Sequence, residues 1–185
     1  MAAAFLTRAK VKSVLGVPAA VTRHDADIDL WLEVAESAVC DYLGTAGLTL
    51  TDYDETFDVD DPQDTIALSA WPVSSAVVTN NGALVVASDY YVDALGYLRL
   101  TGSGAAFTPG RQKVTVSHSS GYSPVEEKFV MAAAIVAAAL FSTSRHAGFV
   151  TERMASGGYQ YRLDDSEFPK SARALLNSDR RVFAR

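Results

Sequence analysis

The sequence predicts an α+β protein: a helical bundle around a central Ala-rich helix, with a small antiparallel β unit inserted and an extended C-terminal segment. Three patterns support this class. Residues 129–141 form an uninterrupted apolar run that is rich in alanine. Residues 25–44 repeat apolar side chains at a spacing of about 3.6 residues, as an amphipathic helix does. Residues 48–122 alternate apolar and polar side chains between turn signals, as short strands do.

The alanine-rich helix is predicted to span Ser123–Ser144 and to end at His146-Ala147-Gly148. Ser123 is a candidate cap, Pro124 suits the first helical position, and Glu126 can reach back to the cap. Apolar side chains cover more than one face, which predicts neighbours on several sides. A membrane span is the alternative, but the run has 13 residues and a span needs about 20.

Two helices are predicted before the β unit. The first runs from Thr7 to Leu15, with Thr7 as its cap and Gly16 as its end. The second begins at Asp25 or Asp27 and closes at Gly44. One face of the second helix carries its apolar residues, namely Ile28, Trp31, Leu32, Ala35, Val39, Tyr42 and Leu43.

About six short strands are predicted in the middle of the chain. Asn80-Asn81-Gly82 supplies residues that tolerate a left-handed backbone and therefore predicts a tight hairpin. A unit of this size, with exposed edges, is predicted to be unstable alone. The alternating segments are Thr56–Val59, Thr65–Leu68, Val77–Thr79, Ala83–Val86, Tyr90–Val92, Tyr97–Leu100 and Lys113–His118.

The predicted domain organisation has four segments. Residues 1–47 hold the N-terminal helices, 48–122 the inserted β unit, 123–150 the central helix and 151–185 a C-terminal docking segment. A last short helix is predicted to begin near Pro169, with Ala172, Leu175 and Leu176 on one face. Such a short helix is not stable in water by itself, so we expect it to dock on another surface.

The charge is unevenly distributed along the chain, whose formal net charge is −6. Residues 1–144 carry 8 basic and 17 acidic side chains, whereas residues 145–185 carry 8 and 5. An acidic body argues against sequence-specific recognition of nucleic acid, which needs a basic surface. The basic C-terminal segment is typical of a tail that meets another surface.

A run of acidic residues near the start of the β unit contains no basic residue. A calcium site is the alternative, but the loop glycine and the terminal glutamate of an EF-hand are missing. A solvated, mutually repulsive face is the better interpretation, and along a DNA passage it would keep the duplex from adhering. The run consists of Asp52, Asp54, Glu55, Asp58, Asp60, Asp61 and Asp64.

No motif predicts catalysis, a cofactor or a metal. His24, His118 and His146 lack the spacing of metal ligands, and each is interpreted as a surface or loop histidine. The single cysteine, Cys40, falls on an apolar helical pattern and is interpreted as a core residue. His118-Ser119-Ser120-Gly121 has only a superficial likeness to a nucleophile motif.

Several weak motifs occur in a fixed order along nearly the whole chain, and together they resemble the head–tail connector, or adaptor, proteins of tailed bacteriophages. The departure from the family pattern is Met154-Ala155-Ser156-Gly157, which is looser than the Gly-rich continuation usual after Glu-Arg. The motifs are Thr7…Val11…Leu15-Gly16, Asp41-Tyr42-Leu43-Gly44, Trp71-Pro72-Val73, Asp89-Tyr90-Tyr91-Val92-Asp93…Gly96-Tyr97-Leu98, Val114-Thr115-Val116…Ser120-Gly121-Tyr122…Pro124, Glu152-Arg153 and Leu175-Leu176…Arg180-Arg181.

The resemblance implies a non-enzymatic virion protein of the neck, assembled in the host cytoplasm without cofactors or membranes. Such proteins form a ring, usually a dodecamer, between the portal protein above and a stopper, tail-terminator or tail-tube protein below. Double-stranded DNA passes through the lumen without sequence-specific binding. The alanine-rich helix would pack within and between copies, since a ring contact joins two different faces.

The resemblance also implies that the C-terminal part reaches the portal. Its arginines would pair with carboxylates on the partner, and Phe183 would fill a pocket there. The predicted portal-contact residues are Glu152, Arg153, Tyr159, Tyr161, Leu175, Leu176, Arg180, Arg181 and Phe183.

Two alternatives remain at the level of sequence. A head-completion stopper or a tail-terminator protein would be richer in strands than this chain is expected to be. A small hydrolase or a ligand-binding module such as a sugar-binding domain would need a convergent polar cluster, and the sequence shows none.

Overall fold

The structure, a computed structural model, describes residues 5–102, 104–153 and 168–180, and of residues 144–153 it describes the backbone alone. These residues form an α+β fold, as predicted, in two compact units. The β unit comprises Gly44–Val125, and the helical unit comprises the described residues of 5–43 and 126–180. In chain order the elements are α1 (Arg8–Leu15), α2 (Asp25–Leu43), β1 (Thr51–Val59), β2 (Thr65–Ala67), β3 (Val73–Asn80), β4 (Ala83–Leu84), β5 (Tyr90–Val92), β6 (Tyr97–Leu100), β7 (Gly110–Ser120), α3 (Glu127–Arg153) and α4 (Lys170–Leu176).

Helix α1 has the ends that its sequence predicts. The Thr7 hydroxyl accepts a hydrogen bond from the Lys10 amide at 3.3 Å, which satisfies one of the free amides of the first turn. Gly16 follows the last helical residue with φ 67°, a left-handed conformation that glycine adopts without steric cost. Leu6 and Val11 are both buried, one before the cap and one on the first turn.

Helix α2 begins at Asp25, the first of the two predicted starts. Its buried residues are Ile28, Ala35, Val39 and Leu43, which lie on one face as the spacing predicts. Its first turn carries two acidic residues, Asp25 and Asp27, where the positive end of the helix dipole favours them.

The predicted start of α3 is wrong: the helix begins at Glu127 and not after a Ser123 cap. The chain is still extended at Tyr122, whose amide donates to the Leu48 carbonyl at 2.8 Å. The Tyr122 carbonyl in turn accepts from Leu50 at 3.0 Å. The first helical hydrogen bond therefore runs to the Glu126 carbonyl, from Phe129 at 3.0 Å.

The predicted end of α3 is also wrong, because the helix continues through Gly148 to Arg153. A single glycine inside a helix costs only about 1 kcal/mol relative to alanine. Unlike Gly16, Gly148 is not followed closely by a proline that would prevent continuation. The predicted C-terminal docking segment, residues 151–185, is therefore still helical for its first three residues.

Helix α3 is buried within its own chain. Helices α1, α2 and α4 each pack against it. Small alanine side chains allow those helices to approach closely, which explains the alanine content. The buried residues of α3 are Phe129, Ala132, Ala133, Ala134, Val136, Ala137, Ala138 and Phe141, so the predicted burial is confirmed.

The described residues of the β unit form seven strands in two antiparallel sheets, one strand at each of the seven predicted segments. The strand order is β1-β7-β3-β4 in the larger sheet and β2-β6-β5 in the smaller one. Strands β1, β3 and β7 are longer than predicted, because the residues that extend them are mostly polar and do not show the apolar pattern. The core of the unit consists of Val59, Ile66, Leu68, Val78, Leu98, Phe107, Val114 and Val116.

The predicted hairpin is present between β3 and β4. Asn81 and Gly82 occupy its turn with φ 52° and 79°, values that asparagine and glycine tolerate best. Asn80 pairs with Ala83, and Thr79 pairs with Leu84. Strand β4 is shorter than the predicted Ala83–Val86, although the Val85 amide still donates to the Val78 carbonyl at 2.9 Å.

Replacing Val136 with aspartate tests the packing of α3. Val136 is 4% exposed, so V136D places an unpaired charge in the core and is expected to cost roughly 3–5 kcal/mol. Urea unfolding followed by circular dichroism measures this loss. The matched control is S142D, at an exposed position of the same helix. A V136D variant that unfolds at the same urea concentration as S142D would contradict the placement of the core.

Candidate functional site

Six of the seven residues of the acidic run are exposed, three of them on one face of the larger sheet. Asp52, Asp54 and Asp58 are exposed and alternate along β1 with residues that point inward. Asp60, Asp61 and Asp64, which follow β1, are exposed as well. The exception is Glu55, whose side chain is 16% exposed because it lies on the inward side of the strand.

His118 belongs to a buried polar cluster, so the interpretation of this residue as a surface histidine is wrong. Its side chain is fully buried, with Nε2 2.8 Å from the Glu55 carboxylate and Nδ1 2.5 Å from Ser120 Oγ. A carboxylate only accepts, so Nε2–H donates to Glu55 and a neutral ring accepts from Ser120 at Nδ1. Tyr53 stacks on the ring with centroids 5.3 Å apart. Val114, Val116 and His118 occupy every second position of β7 and point inward, and this period of two is the sequence signal for the burial of His118.

This cluster has the residue types of a hydrolase triad but not the access that catalysis needs. Ser120 has no exposed surface, so its hydroxyl cannot meet a substrate. Glu55 also accepts hydrogen bonds from the hydroxyl and from the amide of Ser69, the latter at 3.1 Å. The cluster therefore joins β1, β7 and the segment after β2, and its role is structural.

A second charged cluster fixes the segment between α1 and α2. Lys12 is 5% exposed, and its ammonium group donates to the Val21 carbonyl at 2.8 Å and lies 2.5 Å from Asp25. Arg8 donates to Asp25 at 2.8 Å and to Asp29. The hydrogen bond from Lys12, reinforced by that from Arg8, lowers the pKa of Asp25. An open groove of about 470 Å³ lies over these groups, whose charges are paired with one another.

The described part of the C-terminal segment docks on helices of its own chain. Tyr42 of α2 is the main attachment: its ring stacks on Phe168 at 4.6 Å, and its hydroxyl donates to Asn177 Oδ1 at 2.7 Å. The Arg180 guanidinium lies over the same ring, 4.7 Å from its centroid. At the start of α3, Lys128 donates to Asp179 at 2.9 Å, and this hydrogen bond raises the pKa of Lys128.

The predicted portal-contact residues have different environments. Leu176 is fully buried in the helical unit, so it is not part of an exposed contact surface in this structure. Leu175 is half-buried and Arg180 is exposed. Glu152 and Arg153 are the last two residues of α3. Tyr159, Tyr161, Arg181 and Phe183 lie outside the described residues.

Sequence reasoning missed two groups of exposed apolar residues. Leu30 and Val34 lie on the outer face of α2, and Val77, Leu84 and Val86 lie at the β3–β4 hairpin. The spacing of Leu30 and Val34 away from the apolar face of α2 was a signal that could have revealed the first group.

The described residues contain neither a metal-binding arrangement nor a membrane-spanning helix. No three His, Cys, Asp or Glu side chains within residues 5–102, 104–153 and 168–180 are placed to hold a metal ion together. Over the same ranges, no helix combines the length and the apolarity that a membrane crossing requires.

The fold is similar to chains in two solved structures of a phage-like particle. The first is the neck of an empty gene transfer agent particle, computed with C6 symmetry: TM-score 0.62, 16% sequence identity, 97% of this chain and 91% of that chain covered. The second is the virion of a native gene transfer agent particle, with TM-score 0.59, 16% identity and the same coverage. No family profile and no curated protein matches the sequence. The likeness therefore concerns the fold, and it extends over nearly the whole chain.

Acid is expected to weaken the junction of α1 and α2. The pKa of Asp25 is lowered by Lys12 and Arg8 in the folded chain and is about 3.9 in the unfolded chain. The stabilisation of the folded chain by the Asp25 charge is therefore complete well above pH 4. It is lost as the pH falls through the unfolded-state pKa toward the lower folded-state pKa. Thermal melting of D25N and parent should differ clearly at pH 7 and converge toward pH 3.

The matched control for this experiment is E33Q, because Glu33 is exposed on the same helix but lies away from its first turn, where the helix dipole acts. Its melting curve should follow the parent at every pH. A difference between D25N and parent that stays constant from pH 7 to pH 3 would show that the Asp25 charge does not stabilise the junction.

Proposed function

We propose that this chain is a structural adaptor in the neck of a tailed phage or phage-like particle, joining a DNA-filled head to the next neck or tail component. The observation that supports this most is the fold likeness to a chain of a gene transfer agent neck over 97% of the length. The order of connector-like motifs along the sequence supports it independently. In this proposal the protein acts by assembly, as a ring beneath the portal.

The composition of the fold favours an adaptor over a stopper or a tail-terminator. Those proteins are expected to be richer in strands, whereas more of the described residues here lie in helices than in strands. An enzymatic function has no support from the buried Glu55–His118–Ser120 cluster, because its serine has no exposed surface.

The acidic β unit suits the wall of a passage for DNA. Residues 44–125 carry nine acidic and three basic side chains, and Asp52, Asp54 and Asp58 form an exposed row on β1. A negative wall repels the phosphate backbone and keeps a moving duplex from adhering. In this proposal that face of β1 borders the lumen.

The C-terminal segment is the proposed contact with the portal. Residues 168–180 of this segment are already held on α2 and α3 through Tyr42 and Lys128, which reduces the entropy lost on binding. Two of the proposed portal contacts have described side chains: Arg180 is exposed and Leu175 is half-buried. The other proposed contacts are Glu152, Arg153, Tyr159, Tyr161, Arg181 and Phe183.

A binding assay with heads that carry the portal but lack this protein tests the proposal. Purified parent protein should bind them as a ring and restore joining to tails, scored by negative-stain electron microscopy. Deleting residues 181–185 should abolish joining without changing the melting temperature. A larger deletion of 166–185 is unsuitable because it removes α4 and uncovers the core around Ala172 and Leu176.

The matched control is K170A, an exposed substitution on α4 that should leave joining unchanged. Failure of the parent chain to bind portal-capped heads would overturn the adaptor function. Normal joining after deletion of 181–185 would show that Arg181 and Phe183 do not contact the portal.

DNA binding tests the proposed lumen wall. At about 0.01 M salt, where charges act over roughly 30 Å, the parent protein should not retain duplex DNA on a filter. Neutralising the exposed row with D52N, D54N and D58N should increase retention. Tight binding of DNA by the parent at that salt concentration would contradict a repulsive wall.

A further inference from the structure

Two exposed apolar surfaces lie on different units of this chain, and we propose that they bind each other between neighbouring copies. The outer face of α2 in one copy receives the β3–β4 hairpin of the next copy. This inference rests on the proposed ring, and it names the contact that would build that ring. The partner for each surface is thus a second copy of the same chain.

The first surface is the α2 stripe, formed by Leu30 and Val34. Leu30 is 71% exposed and Val34 is 46% exposed. The two residues are four positions apart, so they are neighbours on one face of the helix. Ala26 and Ser37 extend that face with small exposed side chains.

Acidic residues border the α2 stripe. Helix α2 contains six acidic residues and no basic residue. Three of them serve the helical unit: Asp25 and Asp29 pair with Arg8, and Glu36 accepts from the amides of residues 5 and 6. The other three, Asp27, Glu33 and Asp41, are exposed. Asp27 and Glu33 are each three positions from Leu30, and Asp41 is one turn beyond Ser37 on the same face.

The second surface is the hairpin patch, formed by Val77, Leu84 and Val86. These residues are 55%, 68% and 61% exposed. Leu84 pairs with Thr79, so it lies on the same side of the sheet as Val77, two positions from Thr79. Val78 is buried on the opposite side, so the hairpin fills the core with one face and exposes apolar side chains on the other.

Basic residues lie beside the hairpin patch. Residues 44–125 contain three basic residues, and two of these, Arg111 and Lys113, are exposed at the start of β7. The Lys113 carbonyl accepts from the Asn81 amide at 2.6 Å, which places Lys113 next to the hairpin turn. The acidic strand β1 lies at the other edge of this sheet.

Both surfaces have an apolar centre, and the β7 side of the hairpin patch is complementary in charge to the α2 stripe, whereas exposed Asp89 lies on the Val86 side. A basic border that meets an acidic border is attractive, whereas two α2 stripes facing each other would bring like charges together. A pair of unlike surfaces on one chain gives a head-to-tail contact, which builds a ring when the rotation from copy to copy closes and a filament when it does not. Helix α3 does not compete for this role: among the described side chains, no large apolar residue of α3 is exposed by more than about a third.

Substitutions L30E and L84E test the contact, since each changes an exposed residue and leaves the monomer folded. Parent protein should form species larger than a dimer in sedimentation velocity and native mass spectrometry. Each variant alone should be monomeric, with association weakened by more than about tenfold. An equimolar mixture should form a dimer that does not grow, because L30E retains the hairpin patch and L84E retains the α2 stripe.

The matched control is L50E, which changes a leucine that is 45% exposed in the same unit as Leu84. It should assemble like the parent, whereas K113E should assemble more weakly because it reverses the charge beside the hairpin. Assembly of L30E or L84E at parental strength, or a mixture without dimers, overturns the contact. So does a parent chain that stays monomeric at about 1 mM.

The outcomes separate this inference from the adaptor function. A parent chain that binds portal-capped heads, combined with variants that assemble normally, leaves the adaptor standing and overturns the contact. Self-assembly through the two surfaces without binding to portal-capped heads retains the contact and overturns the adaptor.

Discussion

The burial of α3 by three other helices of its own chain constrains the rest of the helical unit. Alanines at positions 132–134 and 137–138 let those helices approach closely, and Phe129 and Phe141 fill the wider spaces near the ends of this stretch. The part of α3 whose side chains are described, up to residue 143, therefore has little apolar surface left for a partner. Larger exposed apolar side chains lie on the outer face of α2 and at the β3–β4 hairpin.

The β unit separates two uses of polar residues along a single pair of strands. On the inward side, Glu55, His118 and Ser120 satisfy one another, and a buried network of this kind fixes the register of β1 against β7. On the outward side, Asp52 and Asp54 remain in solvent. The same alternation thus produces a rigid interior and a repulsive exterior from residues that are nearly contiguous in sequence.

Features set by local interactions could be predicted, and features set by distant contacts could not. The Thr7 cap and the left-handed Gly16 depend on neighbouring residues, so α1 was predicted to the residue. The start of α3 depends on Tyr122 remaining bonded to Leu48, more than 70 positions earlier, which no local pattern reveals. The burial of His118 depends on the register of β7. The existence of α4 was predictable from Ala172 and Leu176, but its attachment to Tyr42 was not.

The attachment at Tyr42 has a mechanical consequence. Phe168, Asn177 and Arg180 all contact this one side chain, so a pull on the end of the chain is carried into α2. That helix also presents Leu30 and Val34 to the exterior. A load applied to the residues that follow Arg180 would thus be transmitted through the same helix to any molecule bound at Leu30 and Val34.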